Sequence, residues 1–278
     1  MSAQIIFGES WDDYTKSEAL GSSALHAWRG MGREAWSAAY LERGPGKRYS
    51  GTSSKFAAGG GALDALVTGG KRFEDCFVVS PYSDFRTKEA QAWKAEQAAA
   101  GREIITAQQL DEIQAAERLA KEALSVLAGG REISFQVTLR GEIKGVAVQT
   151  RPDFWIPGDD MATIGDLKYI SDFDGFARHI VGERIETQLA LDSELAIQAG
   201  AEQHRIALLV VESGTVHPRV AVYFVDPEDL GNMCVRLGRL CAEISDAMTG
   251  DLGFRDVIQF ETLSLPGWAR KQLEEASE

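Results

Sequence analysis

The chain has 278 residues, 44% of them hydrophobic, and a formal net charge of −13. That length suits one large domain or two small ones around an ordinary packed core. The acidity argues against a general nucleic-acid binder, whose affinity comes mostly from Lys and Arg neutralising phosphates. No apolar run approaches the roughly 20 residues that span a bilayer, and the N-terminal segment lacks the basic start of a signal peptide, so no membrane association is expected and the expected location is cytoplasmic.

In chain order, Ser22-Ser23 ahead of Ala24-Leu25 reads as a helix start, and Arg33 to Leu41 continues as a second helical stretch until Gly44-Pro45-Gly46 breaks it. Lys47 to Ser54 is a polar, basic loop. Lys55 to Val67 reads as a helix despite Gly59-Gly60-Gly61, a run that costs about 1 kcal/mol per glycine and so implies close packing there. Phe73 to Ser80 is a short strand candidate, followed by helical stretches over Arg86 to Ala100 and Ala107 to Leu127, the latter ended by Gly129-Gly130. From Glu132 the period becomes two, with Ile133, Phe135, Val137 and Leu139 alternating with polar residues; Arg140-Gly141 is read as the turn and Glu142 to Arg151 as the returning strand.

Gly158-Asp159-Asp160 then turns the chain between two β-like runs. A long helical stretch covers about 172 to 200, kinked near Gly182. Strands follow over Arg205 to Glu212, with the apolar run of a central strand, and over Arg219 to Val225. Asp226 to Met248 closes as an amphipathic helix, and the tail from Ser264 looks peripheral. The order predicts an α/β fold with a mixed central sheet flanked by helices and a helical N-terminal region.

Three cysteines, Cys76, Cys234 and Cys241, are too scattered for a disulfide framework, and Cys234 and Cys241 read as core thiols seven apart on one stripe. The four histidines have no paired ligand spacing, so zinc is not expected. Charge is uneven: residues 26 to 88 hold ten Lys and Arg against six acids, a net of +4, which leaves −17 to the remainder. Arg29, Arg33, Lys47, Arg48, Lys55, Lys71 and Arg72 are therefore candidates for a local phosphate-binding surface on an acidic body, as against a solvated basic face.

The chemistry-bearing residues are Asp153, in Arg151-Pro152-Asp153, and Asp166 and Lys168, in Asp166-Leu167-Lys168. On a strand, Asp166 and Lys168 emerge on the same face because side chains alternate with period two. The turn at 158 to 160 sets Asp153 and Asp166 at neighbouring points of adjacent strands. Two carboxylates hold a hard divalent cation, the Leu167 carbonyl adds a neutral oxygen, and the lysine orients or deprotonates a water: a constellation suited to metal-assisted phosphodiester hydrolysis. Arg184 and Gln188 share a helical face. Asp64 is read as a site residue or as helix surface, Glu132 as an accessory acid or a solvated one, and Arg151 as a phosphate contact or the partner of an acid.

In this order the segments resemble the PD-(D/E)XK nucleases, and within them the exonuclease VIII (RecE-type) domain of phages and prophages, over roughly residues 20 to 250. The resemblance is carried by Ser22-Ser23-Ala24-Leu25, Gly60-Gly61-Ala62-Leu63-Asp64, Phe73 to Phe85, Glu132, Arg151-Pro152-Asp153, Asp166-Leu167-Lys168 and Gln188. It implies a restriction-endonuclease-like fold and magnesium-dependent degradation of linear double-stranded DNA from 5′ ends, with manganese as a substitute ion. It also implies a single-strand annealing protein as partner and a homo-oligomeric ring.

By position the resemblance makes Asp153 and Asp166 metal ligands, Leu167 a backbone ligand, Lys168 the catalytic lysine and Gln188 the helix residue facing the site. Asp64 stands where the family commonly has histidine, and Asp166 where many relatives have glutamate. On this reading residues 1–130 are the helical part with the basic DNA-facing surface, 131–250 the catalytic core and 251–278 a tail, in one domain overall. The alternatives are another DNA-end-processing nuclease, RecB-like or of the CRISPR-adaptation kind, and a catalytically idle DNA-binding subunit.

Overall fold

The computed structural model describes residues 3–42, 55–69, 73–180, 184–250 and 253–254. In chain order it contains β1 (Gln4–Ile6), α1 (Trp11–Lys16), α2 (Ser22–Ala27), α3 (Arg33–Ser37), a π-helical turn (Ala38–Glu42), α4 (Lys55–Thr68), α5 (Phe73–Cys76), β2 (Phe77–Val79), α6 (Lys88–Ala99), β3 (Glu103–Ile105), α7 (Ala107–Ala128), β4 (Ser134–Phe135), β5 (Thr138–Ile143), β6 (Val146–Thr150), β7 (Phe154–Ile156), β8 (Ala162–Ile170), α8 (Phe176–Ile180), α9 (Arg184–Gln198), β9 (His204–Glu212), β10 (Val220–Phe224) and α10 (Pro227–Thr249). Among the described residues no helix is long and apolar enough to cross a membrane.

A five-stranded sheet runs in the order β10-β9-β8-β7-β4, with β8 and β9 parallel and the other pairs antiparallel. Strand β9 is apolar on both faces because both are covered. Ile206, Leu208 and Val210 join a core with Leu189, Leu191 and Leu195 of α9 and Leu237, Leu240 and Ile244 of α10. Ala207, Leu209 and Val211 join a second core with Leu63 of α4 and Ile113, Ala116, Ala120 and Leu124 of α7. Local signals set the helix ends: Thr106 and Gln109 form a reciprocal capping box on α7, Gly129 ends it in the left-handed region, and Asp226 caps α10. Cys241 lies buried in the first core and burial pushes its thiol up to about 12, which suits an inert core cysteine.

The glycine run on α4 is explained at two of its three positions. A Cβ on Gly59 would meet the Tyr169 ring at 3.2 Å and one on Gly61 the Phe77 ring at 3.3 Å, while Gly60 faces nothing within 4 Å.

Three expectations are corrected. The hairpin turn is at Lys144-Gly145, both at positive φ (51° and 81°), between the paired residues Ile143 and Val146. Gly141 is instead mid-strand, and a Cβ there would lie 2.7 Å from both Leu195 and Gln198, so this glycine serves the approach of α9 to the hairpin. The alternating stretch from Glu132 is not one strand: Gln136 turns to φ 52° and divides it, β4 pairing with β7 in the large sheet and β5 with β1 and β6 in a separate three-stranded sheet. In the segment from Phe73, Phe73–Cys76 is a helical turn and only Phe77–Val79 is extended, paired in parallel with β3. Strands β1 and β3 and helix α1 are additions to the sequence reading; β1 and β3 are three residues long, too short for periodicity to declare itself.

Candidate active site

Asp153 lies immediately before β7, whose Phe154 is opposite Gly165 of β8, so the antiparallel register puts Asp153 across from Asp166. Gly165 keeps the two strands in register: a Cβ there would come 2.1 Å from the Phe154 ring and 2.5 Å from the Ala207 carbonyl oxygen. Phe154, Gly165 and Leu167 share the face of the sheet toward α4 and α7, and Asp166 and Lys168 share the other, toward α9.

The side chains then interlock. Asp153 Oδ2 accepts the Leu167 backbone N–H at 2.7 Å, and its Oδ1 accepts Gln136 Nε2 at 3.0 Å. The same Gln136 nitrogen donates to Asp64 Oδ1 at 3.1 Å, which joins α4 to the site. Asp166, only 4% exposed, accepts Gln188 Nε2 on Oδ1 at 2.7 Å and pairs through Oδ2 with the Lys168 ammonium. Lys168 Nζ also donates to Gln188 Oε1 at 3.3 Å, so the amide of Gln188 is oriented at both ends, nitrogen toward the carboxylate and oxygen toward the ammonium.

Burial raises the Asp153 carboxyl above its ordinary value, against the opposing pull of Lys168, the Leu167 N–H, Gln136 and Arg151. One helical turn beyond Gln188, Asp192 is fully buried, accepts the Thr150 hydroxyl at 2.5 Å and has no hydrogen bond on Oδ2. Burial pushes it up to about 7, with Thr150 and Lys168 lowering it and Asp153 raising it.

Asp64, Gln136, Asp153, Asp166 and Gln188 line a cleft of about 640 Å³ that is also lined by Trp11, Tyr14 and Ser22. Arg151 ties Trp11 and Tyr14 to the site: Nη2 donates to the Glu9 carbonyl at 2.8 Å, Nε donates to the Gln136 carbonyl at 3.1 Å, and the guanidinium lies 5.8 and 5.6 Å from the centroids of the Trp11 and Tyr14 rings. A groove of about 790 Å³ between α9 and α10 brings together Glu194 and the Cys234 thiol but none of the site carboxylates.

The structure thus gathers Asp64, Asp153, Asp166, Leu167, Lys168, Gln188 and Arg151 into one place. Arg29 and Arg33 are elsewhere. Arg29 pairs with Glu186 at 3.1 Å, where Arg236 also binds at 2.9 Å, and Arg33 lies 5.6 Å over Trp28; neither lines the cleft. Glu132 is exposed ahead of β4 and is not a cleft residue. Lys47, Arg48, Lys71 and Arg72 lie outside the described residues, as do the side chains of Lys55 and Arg184.

The sequence reading passed over Gln136, Asp192, Trp11 and Tyr14. Asp192 had a signal, being one turn from Gln188 on the same helical stripe; Gln136 had none, since its role depends on the break in its strand.

Among the described residues no three His, Cys, Asp or Glu side chains form a ready-made metal cage. The donor set still fits a magnesium-class ion, which takes hard oxygens, keeps several waters and is often held by one or two carboxylates plus substrate phosphate. Asp153 and Asp166 supply the carboxylates. The Leu167 N–H points at Asp153, and on a strand a residue's N–H and C=O point to the same edge, so the Leu167 carbonyl faces the same side.

No protein-family model matches the chain, and no curated protein sequence matches it. Among solved structures, it is similar to the crystal structure of a protein from Eubacterium rectale described as a "putative exonuclease", at 15% identity and a TM-score of 0.57 over 91% of this chain and 93% of that one. The two share a mixed α/β fold. Weaker likenesses, to a protein designated SSO0001 (18% identity, 59% of this chain and 69% of that one, TM-score 0.32) and to protein VC1899 from Vibrio cholerae (12%, 86% and 58%, TM-score 0.29), do not bear on the fold.

Proposed function

We propose that this protein is a PD-(D/E)XK-type, magnesium-dependent exodeoxyribonuclease that degrades linear double-stranded DNA, in the 5′ to 3′ direction. The carrying observation is the convergence of Asp153, Asp166, Lys168 and the Leu167 backbone at one site, with Gln188 holding both Asp166 and Lys168. The neighbour from Eubacterium rectale, whose name describes an exonuclease, has the same fold and supports the nuclease class.

A divalent cation held by Asp153, Asp166 and the Leu167 carbonyl would supply charge to the phosphoryl oxygens and acidify a water. The remaining work belongs to the chain. Lys168 Nζ, fixed between Asp166 and Gln188, is aimed to orient the attacking water and to carry its proton or the charge of the transition state. Gln188 bonds to both the ammonium and the carboxylate and so fixes the orientation of their ion pair. Arg151, partly buried along the cleft wall, meets the phosphodiester as a fixed cation. Asp192, its carboxyl pushed up to about 7 by burial, carries less than a full negative charge behind the site near neutral pH, and so repels DNA less than an ordinary aspartate would. Manganese as a substitute ion, a ring of subunits and a single-strand annealing partner belong to the same reading.

Linear duplex labelled at the 5′ or the 3′ end, and a covalently closed circle, tested in Mg²⁺ and in EDTA, decide it. Release of 5′ label as mononucleotide from the linear substrate only, abolished by EDTA, is expected. Cleavage of the closed circle, or undiminished cleavage in EDTA, would overturn the reading, and early release of 3′ label would reverse the polarity.

A further inference from the structure

Gln136 bonds to both outer carboxylates of the site, Asp64 and Asp153, and nothing in its sequence context marks it. It is the residue at which β4 ends and the chain crosses to the other sheet, and it does so at φ 52°. That conformation costs a glutamine on the order of 1–3 kcal/mol, so the surrounding structure must over-determine it. Its main chain is anchored to the site at both ends: the N–H donates to the Asp153 carbonyl at 3.1 Å and the carbonyl accepts Arg151 Nε at 3.1 Å. The residue is 9% exposed, and its NH₂ group donates to Asp64 Oδ1 and Asp153 Oδ1. The two acids come from different elements, α4 and the entry to β7, and an ionised pair brought this close repels unless a positive group lies between them. The amide hydrogens supply that partial positive charge. Only the NH₂ end of the amide can face two carboxylates, since the oxygen would add a third negative pole.

We propose that the Gln136 NH₂ stands in for a divalent cation between Asp64 and Asp153, and that on metal binding the amide turns over so that Oε1 becomes a ligand. This rests on the metal-dependent reading given above. The amide suits the task because its two ends have nearly the same shape and opposite polarity, so a half-turn about the last side-chain torsion exchanges a donor for an acceptor without moving the backbone. The positive φ keeps the amide pointed between the carboxylates in both states. Asp64 thereby becomes part of the metal site through Gln136, and the two hydrogen bonds that metal must displace weaken its binding in a way a third carboxylate would not.

The test uses the full chain without DNA. Mn²⁺ binding is read from the loss of the free-ion EPR signal, and melting temperature is measured in EDTA and in Mn²⁺ or Ca²⁺, for wild type, Gln136→Glu and Gln136→Met. Gln136→Met, close in volume and without an oxygen ligand, should weaken Mn²⁺ binding by about tenfold or more, as loss of a metal-supporting group does. Gln136→Glu should bind Mn²⁺ about tenfold more tightly at pH 8, yet melt below wild type in EDTA, with that deficit shrinking as pH falls and the carboxylates protonate.

If both variants melt lower by the same amount and keep the wild-type Mn²⁺ affinity, Gln136 is a strand-junction residue only and the proposal is overturned. If Gln136→Met does not fold, Gln136→Glu alone decides, unchanged or weaker affinity counting against the ligand role. Absence of Mn²⁺ binding by wild type would instead remove the metal-dependent reading itself, an outcome distinct from wild-type binding that the Gln136 variants leave unaltered.

Discussion

Replacing Asp192 by asparagine isolates the cost of holding a carboxyl buried behind the site. The side chain is fully buried, accepts one hydrogen bond from Thr150, and is pushed up to about 7, first by burial. In the unfolded chain an aspartate titrates near about 3.9. Because the folded value is the higher one, the contribution of this group to stability is fully present below the unfolded value and is lost as pH rises through about 7. With those two values, linkage makes the wild type lose about 2.5 kcal/mol from this group alone between pH 5 and pH 8. Asparagine keeps an oxygen for the Thr150 hydroxyl and does not titrate. The stability of Asp192→Asn relative to wild type should therefore rise by about 2.5 kcal/mol over that interval, whatever fixed difference packing imposes. Urea denaturation at pH 5, 6, 7 and 8 in EDTA measures it, the chelator keeping cations from altering the neighbouring carboxylates. A difference that stays constant across the range would mean that Asp192 is ionised throughout, and the account of a carboxyl whose proton is held by burial would be refuted.

Gly165→Ala should destabilise the fold by about 3 kcal/mol in denaturant, since the new Cβ meets the Phe154 ring and the Ala207 carbonyl with no flexible group to yield. A loss under about 1 kcal/mol would show that β7 shifts freely and that Gly165 does not set the register of Asp153 on Asp166. Lys168→Ala should abolish cleavage while leaving binding to duplex ends largely intact in Ca²⁺, as read by fluorescence anisotropy, because the ammonium acts on the water or the transition state; loss of binding with an unchanged melting temperature would make it a phosphate anchor instead.

The elements that local pattern determines were legible in the sequence. The stripe of α7, the apolar run of β9, the amphipathic closing helix with its Asp226 cap and the turn at Gly158-Asp159-Asp160 each follow from periodicity or from one residue's conformational preference. The shared face of Asp166 and Lys168 is of the same kind, being strand parity alone. What the tertiary structure decided were meetings between distant segments. Gln136 bridges to Asp64 across 72 residues of chain, and Arg151 reaches the Glu9 carbonyl across 142. Arg29, one of a run of basic residues in sequence, spends its charge on Glu186, 157 positions away. Gly141 resembles a turn residue in sequence and is a packing residue in space, because α9 crosses it. Propensity and periodicity report what a residue prefers within a few neighbours. Whether a glutamine becomes a bridge between carboxylates, or an aspartate holds its proton to a higher pH, depends on which surfaces the whole chain brings together and on the water they exclude.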